Sequence, residues 1–197
     1  QDMRSNLGKI VRLNDDGSVP TDNPFASQGG VTAQIWSLGH RNVLGIAFDG
    51  QGRLFAQEMG PAGGDEFNLI ERGANYGYPI VSNGDHYDGR PIPDHDTRPE
   101  FEGPAITWTP VISPGYLMFY RGNLFPDWRG NALAAGLSAK AIVRIQLDGE
   151  RAREVSPVRA AVGDVGDVEH AVRQGQPAEG QRKAGAPAGT EPRERDG

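Results

Sequence analysis

The 197-residue sequence predicts an all-β fold, and three observations carry that expectation. Apolar residues come in short runs that alternate with polar ones. The runs end in Asp-Gly or Gly-rich turns. No stretch before residue 155 repeats its apolar residues at the 3.6-residue spacing of an amphipathic helix. Short strands joined by tight turns build sandwiches, barrels and propellers, and periodicity does not choose among the three.

Taken in order, Lys9-Ile10-Val11-Arg12-Leu13 alternates and then meets Asn14-Asp15-Asp16-Gly17, which reads as a strand entering a tight turn. Residues 31–37 repeat the strand character. Ile46-Ala47-Phe48, the turn Asp49-Gly50-Gln51-Gly52 and residues 53–58 form a hairpin whose arms are too short for separate helices. Residues 82–108 are polar and proline-rich and read as one long functional loop. Ala141 to Leu147, closed by Asp148-Gly149, is a further strand and turn, and its Ala141-Ile142-Val143-Arg144-Ile145 echoes residues 9–13 without a fixed period.

Composition bounds the partners. With 37% hydrophobic residues the chain can build a core, and a formal charge of -6 argues against a nucleic-acid or anionic membrane surface as partner. Zero cysteines exclude disulfides, thiolate metal sites and a cysteine nucleophile; they fit a reducing compartment or a periplasmic protein that avoids thiols. No run of about 18 apolar residues and no basic-plus-apolar leader is visible, and Gln1 in place of Met suggests that the true start lies upstream. Residues 1–155 are the expected folded unit. Residues 156–197 hold valines as their only large aliphatics, so they are expected to be a disordered tail or the product of a reading-frame shift near residue 155.

The segment richest in chemistry is Gly60-Pro61-Ala62-Gly63-Gly64-Asp65-Glu66-Phe67-Asn68. Calcium collects six to eight oxygens, many of them backbone carbonyls, so a Gly/Pro loop with an acidic end suits it; the same composition also makes an ordinary turn. His86 and His95, with their neighbouring aspartates, imitate a zinc cluster but fall in an irregular segment without the convergent spacing such a site needs.

The company of the Gly-rich loop narrows the reading. Gly39-His40-Arg41-Asn42 precedes it and Asn75-Tyr76-Gly77-Tyr78-Pro79 follows, and the chain also carries residues 8–13, Asp22-Asn23-Pro24-Phe25 and Leu124-Phe125-Pro126-Asp127-Trp128-Arg129-Gly130-Asn131. In this order, from about Leu7 to about Glu154, the motifs resemble those of the soluble aldose sugar dehydrogenases, in the broader glucose/sorbosone dehydrogenase family. The resemblance implies several blades of a six-bladed β-propeller, pyrroloquinoline quinone (PQQ) and calcium as cofactors, and oxidation of an aldose's anomeric hydroxyl to a lactone. It further implies a periplasmic or secreted monomer or homodimer with a small sugar as partner.

Residue by residue, Arg41 and Asn42 match the pair that contacts the quinone, and an arginine's planar fork of donors suits the cofactor's carboxylates and carbonyls. Gly60 and Pro61 match the positions whose carbonyls hold the cofactor's calcium. Glu66, through its carboxylate, and Tyr76, through its backbone, match a structural calcium site. The family's catalytic histidine belongs to a segment upstream of this chain, so no catalytic residue is assigned and a C-terminal fragment is expected. Met59 and Ala62 depart from the family, which commonly has His or Gln and Arg there; each change removes a polar contact. Three readings stay open: part of a quinoprotein sugar dehydrogenase, a non-catalytic calcium-stabilised binding module, and an inert truncated product.

Overall fold

The computed structural model describes residues 1–149 and 151–159. Ten strands run through them: β1 (Lys9–Val11), β2 (Ile35–Leu38), β3 (Val43–Phe48), β4 (Leu54–Glu58), β5 (Asp65–Leu69), β6 (Ile106–Trp108), β7 (Pro114–Phe119), β8 (Ala132–Gly136), β9 (Ala141–Asp148) and β10 (Arg151–Arg159). Among the described residues there is no α-helix, only four single 3₁₀ turns. None of these is long and apolar enough to cross a membrane.

Strands β3-β4-β5-β6 form one antiparallel sheet in chain order and β7-β8-β9-β10 a second, while β1 and β2 pair on their own. Two consecutive four-stranded meanders of this kind are propeller blades, so the fold is all-β and a partial β-propeller. The first strands of the two blades lie against each other. A Cβ on Gly45 would stand 2.8 Å from the Leu117 nitrogen, so β3 needs glycine at the point where β7 passes.

One apolar core fills the space between the blades. Phe55 and Phe67 stack at 5.2 Å, Phe119 tilts against Phe55 at 5.4 Å, and Trp108, Leu117, Ala134, Val143 and Ile145 complete it. A second cluster of Ile10, Ala56, Ile70 and Tyr76 joins the first blade to the β1–β2 pair. β4 is therefore buried on both faces, Phe55 toward one cluster and Ala56 toward the other. Each buried aromatic or branched side chain contributes about 1.5–3 kcal/mol relative to exposure.

Several expected elements are observed. Gly17 N donates to Asn14 O at 2.9 Å in the first turn. Asp49 closes the β3–β4 hairpin by accepting the amides of Gln51 and Arg53 at 2.8 and 2.9 Å. Three expectations are corrected. Residues 31–37 are a strand only from Ile35, because Thr32–Gln34 is a 3₁₀ turn whose Ala33 carbonyl is taken by the Asn23 amide at 2.9 Å. Asp65 to Asn68 are not the end of a loop but most of β5, paired with β4 in register Glu58↔Glu66. The loop expected over residues 82–108 ends earlier, since Ile106–Trp108 pairs with β5 as β6. β10 continues to Arg159, and what was expected of the tail beyond it lies outside the described residues.

Candidate functional site

The site lies where the 39–42 connection, the end of β4 and the 59–64 loop meet. Gly60 makes this loop possible: a Cβ there would stand 2.2 Å from Gly63 O and 2.3 Å from Gly64 O, both backbone atoms that cannot yield. Asp65 pins the loop by accepting Gly60 N at 2.9 Å through one oxygen and Ser113 N at 2.8 Å through the other. Burial raises its carboxyl above the usual range, partly offset by those same amides. Ala62 and Asp85 exchange backbone hydrogen bonds and hold the far side of the loop.

Behind the loop runs a buried polar network. Ser37 Oγ lies 2.8 Å from His40 Nε2, and His40 Nδ1 lies 3.0 Å from Glu58 Oε1. Glu58 Oε2 accepts the Arg41 amide at 2.6 Å, and Asn68 Nδ2 donates to both Glu58 Oε1 and Glu66 Oε2 at 3.1 Å each. His40 also stacks on the Tyr76 ring at 4.7 Å. Burial, followed by the neighbouring Glu58 carboxylate, pushes the Glu66 carboxyl up to about 8. Two carboxyl groups buried side by side with one amide between them make the pocket rich in oxygen donors.

Arg41 faces outward from this network. Its Nη1 donates to Met59 O at 3.0 Å, its Nη2 to the Tyr87 hydroxyl at 3.2 Å, and the guanidinium lies over the rings of Tyr78 and Tyr87. Its Nε is buried and has no hydrogen-bond partner. A cleft of about 360 Å³ opens beside it, lined by residues of the N-terminal segment, Gly39, His40, Arg41 and Tyr78.

Of the residues singled out in sequence, Arg41, Gly60, Glu66 and Tyr76 line one small cavity of about 10 Å³, together with Glu58 and Met59; that is room for one water molecule or ion. Asn42 and Pro61 do not line it. Asn42 is exposed and meets the loop through its carbonyl, which accepts Met59 N at 3.0 Å; Pro61 is buried beside Gly60. The Tyr76 hydroxyl is committed elsewhere, donating to Leu69 O and accepting Glu71 N at 2.9 Å, which leaves only its backbone for a metal. That carbonyl accepts His95 Nε2 at 3.1 Å.

Among the described residues no group of three or more His, Asp or Glu side chains is placed to hold a metal ion. A calcium ion held here would therefore draw on backbone carbonyls beside side-chain oxygens. Sequence reasoning did not single out Glu58; it named Asn68 only as the end of the Gly-rich segment and His95 only as an imitation of a zinc ligand. Asn68 lies between Phe67 and Leu69, so its signal was a polar residue between apolar strand neighbours, whereas Glu58 follows Gln57 and gave no such signal.

Comparison with known proteins decides the family. The family model described as Glucose / Sorbosone dehydrogenase matches residues 1–175. The chain belongs to that family. The match runs past Glu154, where the motif resemblance ends. An uncharacterized protein of Synechocystis is 43% identical over 150 residues, covering 75% of this chain and 36% of its own length. The aldose sugar dehydrogenase YliI of Escherichia coli is 35% identical over 157 residues, 78% of this chain and 42% of its own length.

Solved structures agree. The soluble aldose sugar dehydrogenase from Escherichia coli in the apo-form superposes with a TM-score of 0.72 at 34% identity, over 80% of this chain and 46% of that one. The PQQ-bound form of an aldose sugar dehydrogenase from Streptomyces coelicolor superposes with a TM-score of 0.60 at 31% identity, over 78% and 40%. The chain thus spans less than half the length of these relatives.

Proposed function

We propose that this chain is the cofactor- and calcium-holding part of a PQQ-dependent dehydrogenase that oxidises the anomeric hydroxyl of an aldose to a lactone. The observation that carries the reading is Arg41: a half-buried guanidinium, held over two tyrosines at the mouth of a cleft, with a buried Nε–H that no protein group accepts. A planar, anionic, oxygen-rich ligand suits those donors. Asn42 and Arg41 would hold the quinone, and the carbonyls of Gly60 and Pro61 its calcium. Neither carbonyl receives a hydrogen bond among the described residues, which fits an ion that collects carbonyl oxygens.

The carboxylate of Glu66 and the carbonyl of Tyr76 would hold a second calcium, for which the donor set is also all oxygen. When bound, the quinone supplies the two-electron acceptor for hydride from the sugar, and calcium supplies Lewis-acid polarisation. The chain's own part is to orient. Arg41 would offer a bound quinone a fixed positive charge, Gly60 keeps the loop tight, and Asp65 holds that loop to the Ser113 amide at the start of the second blade. No residue of this chain is assigned the role of accepting the sugar's hydroxyl proton. The reading carries with it a periplasmic or secreted location, a small-sugar partner, a monomer or homodimer, and a propeller part followed by a separate tail, with the boundary expected at 155 moved past Arg159, where β10 ends.

The test is reconstitution of the full-length protein with PQQ and calcium, followed by dye reduction with an aldose. Dye reduction that needs both cofactors and is lost in Arg41→Ala is expected; protein that takes up neither cofactor ends the reading. A second reading, a calcium-stabilised binding module without turnover, is favoured by Met59 and Ala62, whose side chains offer the quinone no hydrogen bond. Calcium uptake without dye reduction would support it instead.

A further inference from the structure

Glu58 stands at the end of β4, 3% exposed, on the face turned toward β2 and the 39–42 connection. Its carboxylate has three partners: the Arg41 amide at 2.6 Å, His40 Nδ1 at 3.0 Å and Asn68 Nδ2 at 3.1 Å. The shortest of these is to the backbone of Arg41, and a charge-assisted hydrogen bond of that length is a strong one. The next residue adds a second tie. Met59 O accepts the Arg41 guanidinium at 3.0 Å, while Met59 N donates to Asn42 O at 3.0 Å. Both ends of Arg41, amide and guanidinium, are therefore anchored to residues 58 and 59.

We propose that Glu58 is the positioning residue for Arg41: its carboxylate fixes the Arg41 backbone and so aims the guanidinium at its ligand, while His40 and Asn68 hold the carboxylate in place. The inference rests on the reading of Arg41 as the quinone contact. Glu58 borders the small cavity but does not line the 360 Å³ cleft, so toward a ligand in the cleft it works as a positioning residue, through the Arg41 amide it holds. The support behind it is rigid. His40 is clamped by Ser37 on one side and by the Tyr76 ring on the other, and Asn68 is fully buried with its amide shared between Glu58 and Glu66. A carboxylate held by His40 and Asn68 passes a small displacement on to its third partner, the Arg41 amide, instead of absorbing it.

The experiment is a double-mutant cycle on PQQ affinity, read by quenching of tryptophan fluorescence in the full-length protein with calcium present, alongside Tm. Glu58→Leu is expected to weaken PQQ binding about tenfold, the size of one lost hydrogen bond to a charged group. In an Arg41→Ala background the same change is expected to cost nothing further. Glu58→Gln, which keeps an oxygen for the Arg41 amide, is expected to recover most of the affinity. Additive losses, or native PQQ affinity in Glu58→Leu, would overturn the inference. Should Glu58→Leu fail to fold, the cycle runs with Glu58→Gln; non-additivity of smaller amplitude supports the proposal and additivity sinks it. An unaltered protein that binds no PQQ removes the Arg41 reading and this inference together, whereas binding with additive losses removes this inference alone.

Discussion

The two blades share one strand order, but the first buries a set of polar residues beside its apolar ones. In the first, β4 and β5 bury Gln57, Glu58, Asp65, Glu66 and Asn68; in the second, the matching interior of β8 and β9 is Leu133, Ala134, Ile142, Val143 and Ile145. The meander does not require polar burial, since the second blade forms the same sheet without it. Burying a polar group costs about 1–3 kcal/mol when its hydrogen bonds are incomplete, and Gln57 has neither end of its amide paired. The difference separates what holds the fold, the shared aromatic core, from what the first blade carries in addition.

The largest expected effect breaks what the blades have in common. Phe67→Ala empties the centre of the joint core and should destabilise by about 3–5 kcal/mol in urea unfolding, with one transition reported for both blades. Two separated transitions would mean that the blades hold themselves independently. A smaller effect sharpens the polar side of the comparison. Glu66 is raised from 4.5 to about 8 on folding by burial and Glu58, so the folded protein binds that proton more tightly than the unfolded chain. Its contribution is fully present below the unfolded value and lost as pH rises through about 8. Calcium-free protein should therefore lose Tm between about pH 5 and about pH 8, Glu66→Gln should flatten that slope, and calcium should restore Tm at the alkaline end. A slope unchanged by Glu66→Gln would place the titration elsewhere.

The smallest effect concerns the tips of the two blades. Arg53 pairs with Asp49 at 2.8 Å and also donates to Gly149 O at 2.6 Å, joining the β3–β4 turn to the β9–β10 turn. The pair is largely covered, at 24% and 6% side-chain exposure, but Asp49 keeps the amides of Gln51 and residue 53 when the guanidinium is removed, so Arg53→Ala should shift Tm only slightly. A large drop would show that the turn-to-turn contact, and not the aromatic core, couples the blades.

Legibility in the sequence follows the same division. The β3–β4 hairpin was readable because Asp49-Gly50-Gln51-Gly52 interrupts an alternating pattern, and residues 141–147 because the second blade is apolar inside. β5 was not. Asp65, Glu66 and Asn68 are poor strand formers, and as buried polar residues they reverse the inside-outside pattern from which strands are read. β6 has three residues, too few for any period. In the site, Arg41, Gly60, Glu66 and Tyr76 were found through motifs and do converge on one cavity. Asn42 and Pro61 come from the same motifs but flank it. Glu58 and Asn68 escaped because their importance lies in pairing across strands, which chain order does not display.

Ser37, His40 and Glu58 are linked hydroxyl to imidazole to carboxylate, at 2.8 and 3.0 Å. Distance criteria alone would match this to the charge-relay arrangement of a serine hydrolase. Ser37 is wholly enclosed, however, and the Glu58 carboxylate spends its second oxygen on a main-chain amide. The same connectivity that elsewhere sharpens a nucleophile here serves as scaffolding, and what tells the two uses apart is whether a substrate could reach the hydroxyl.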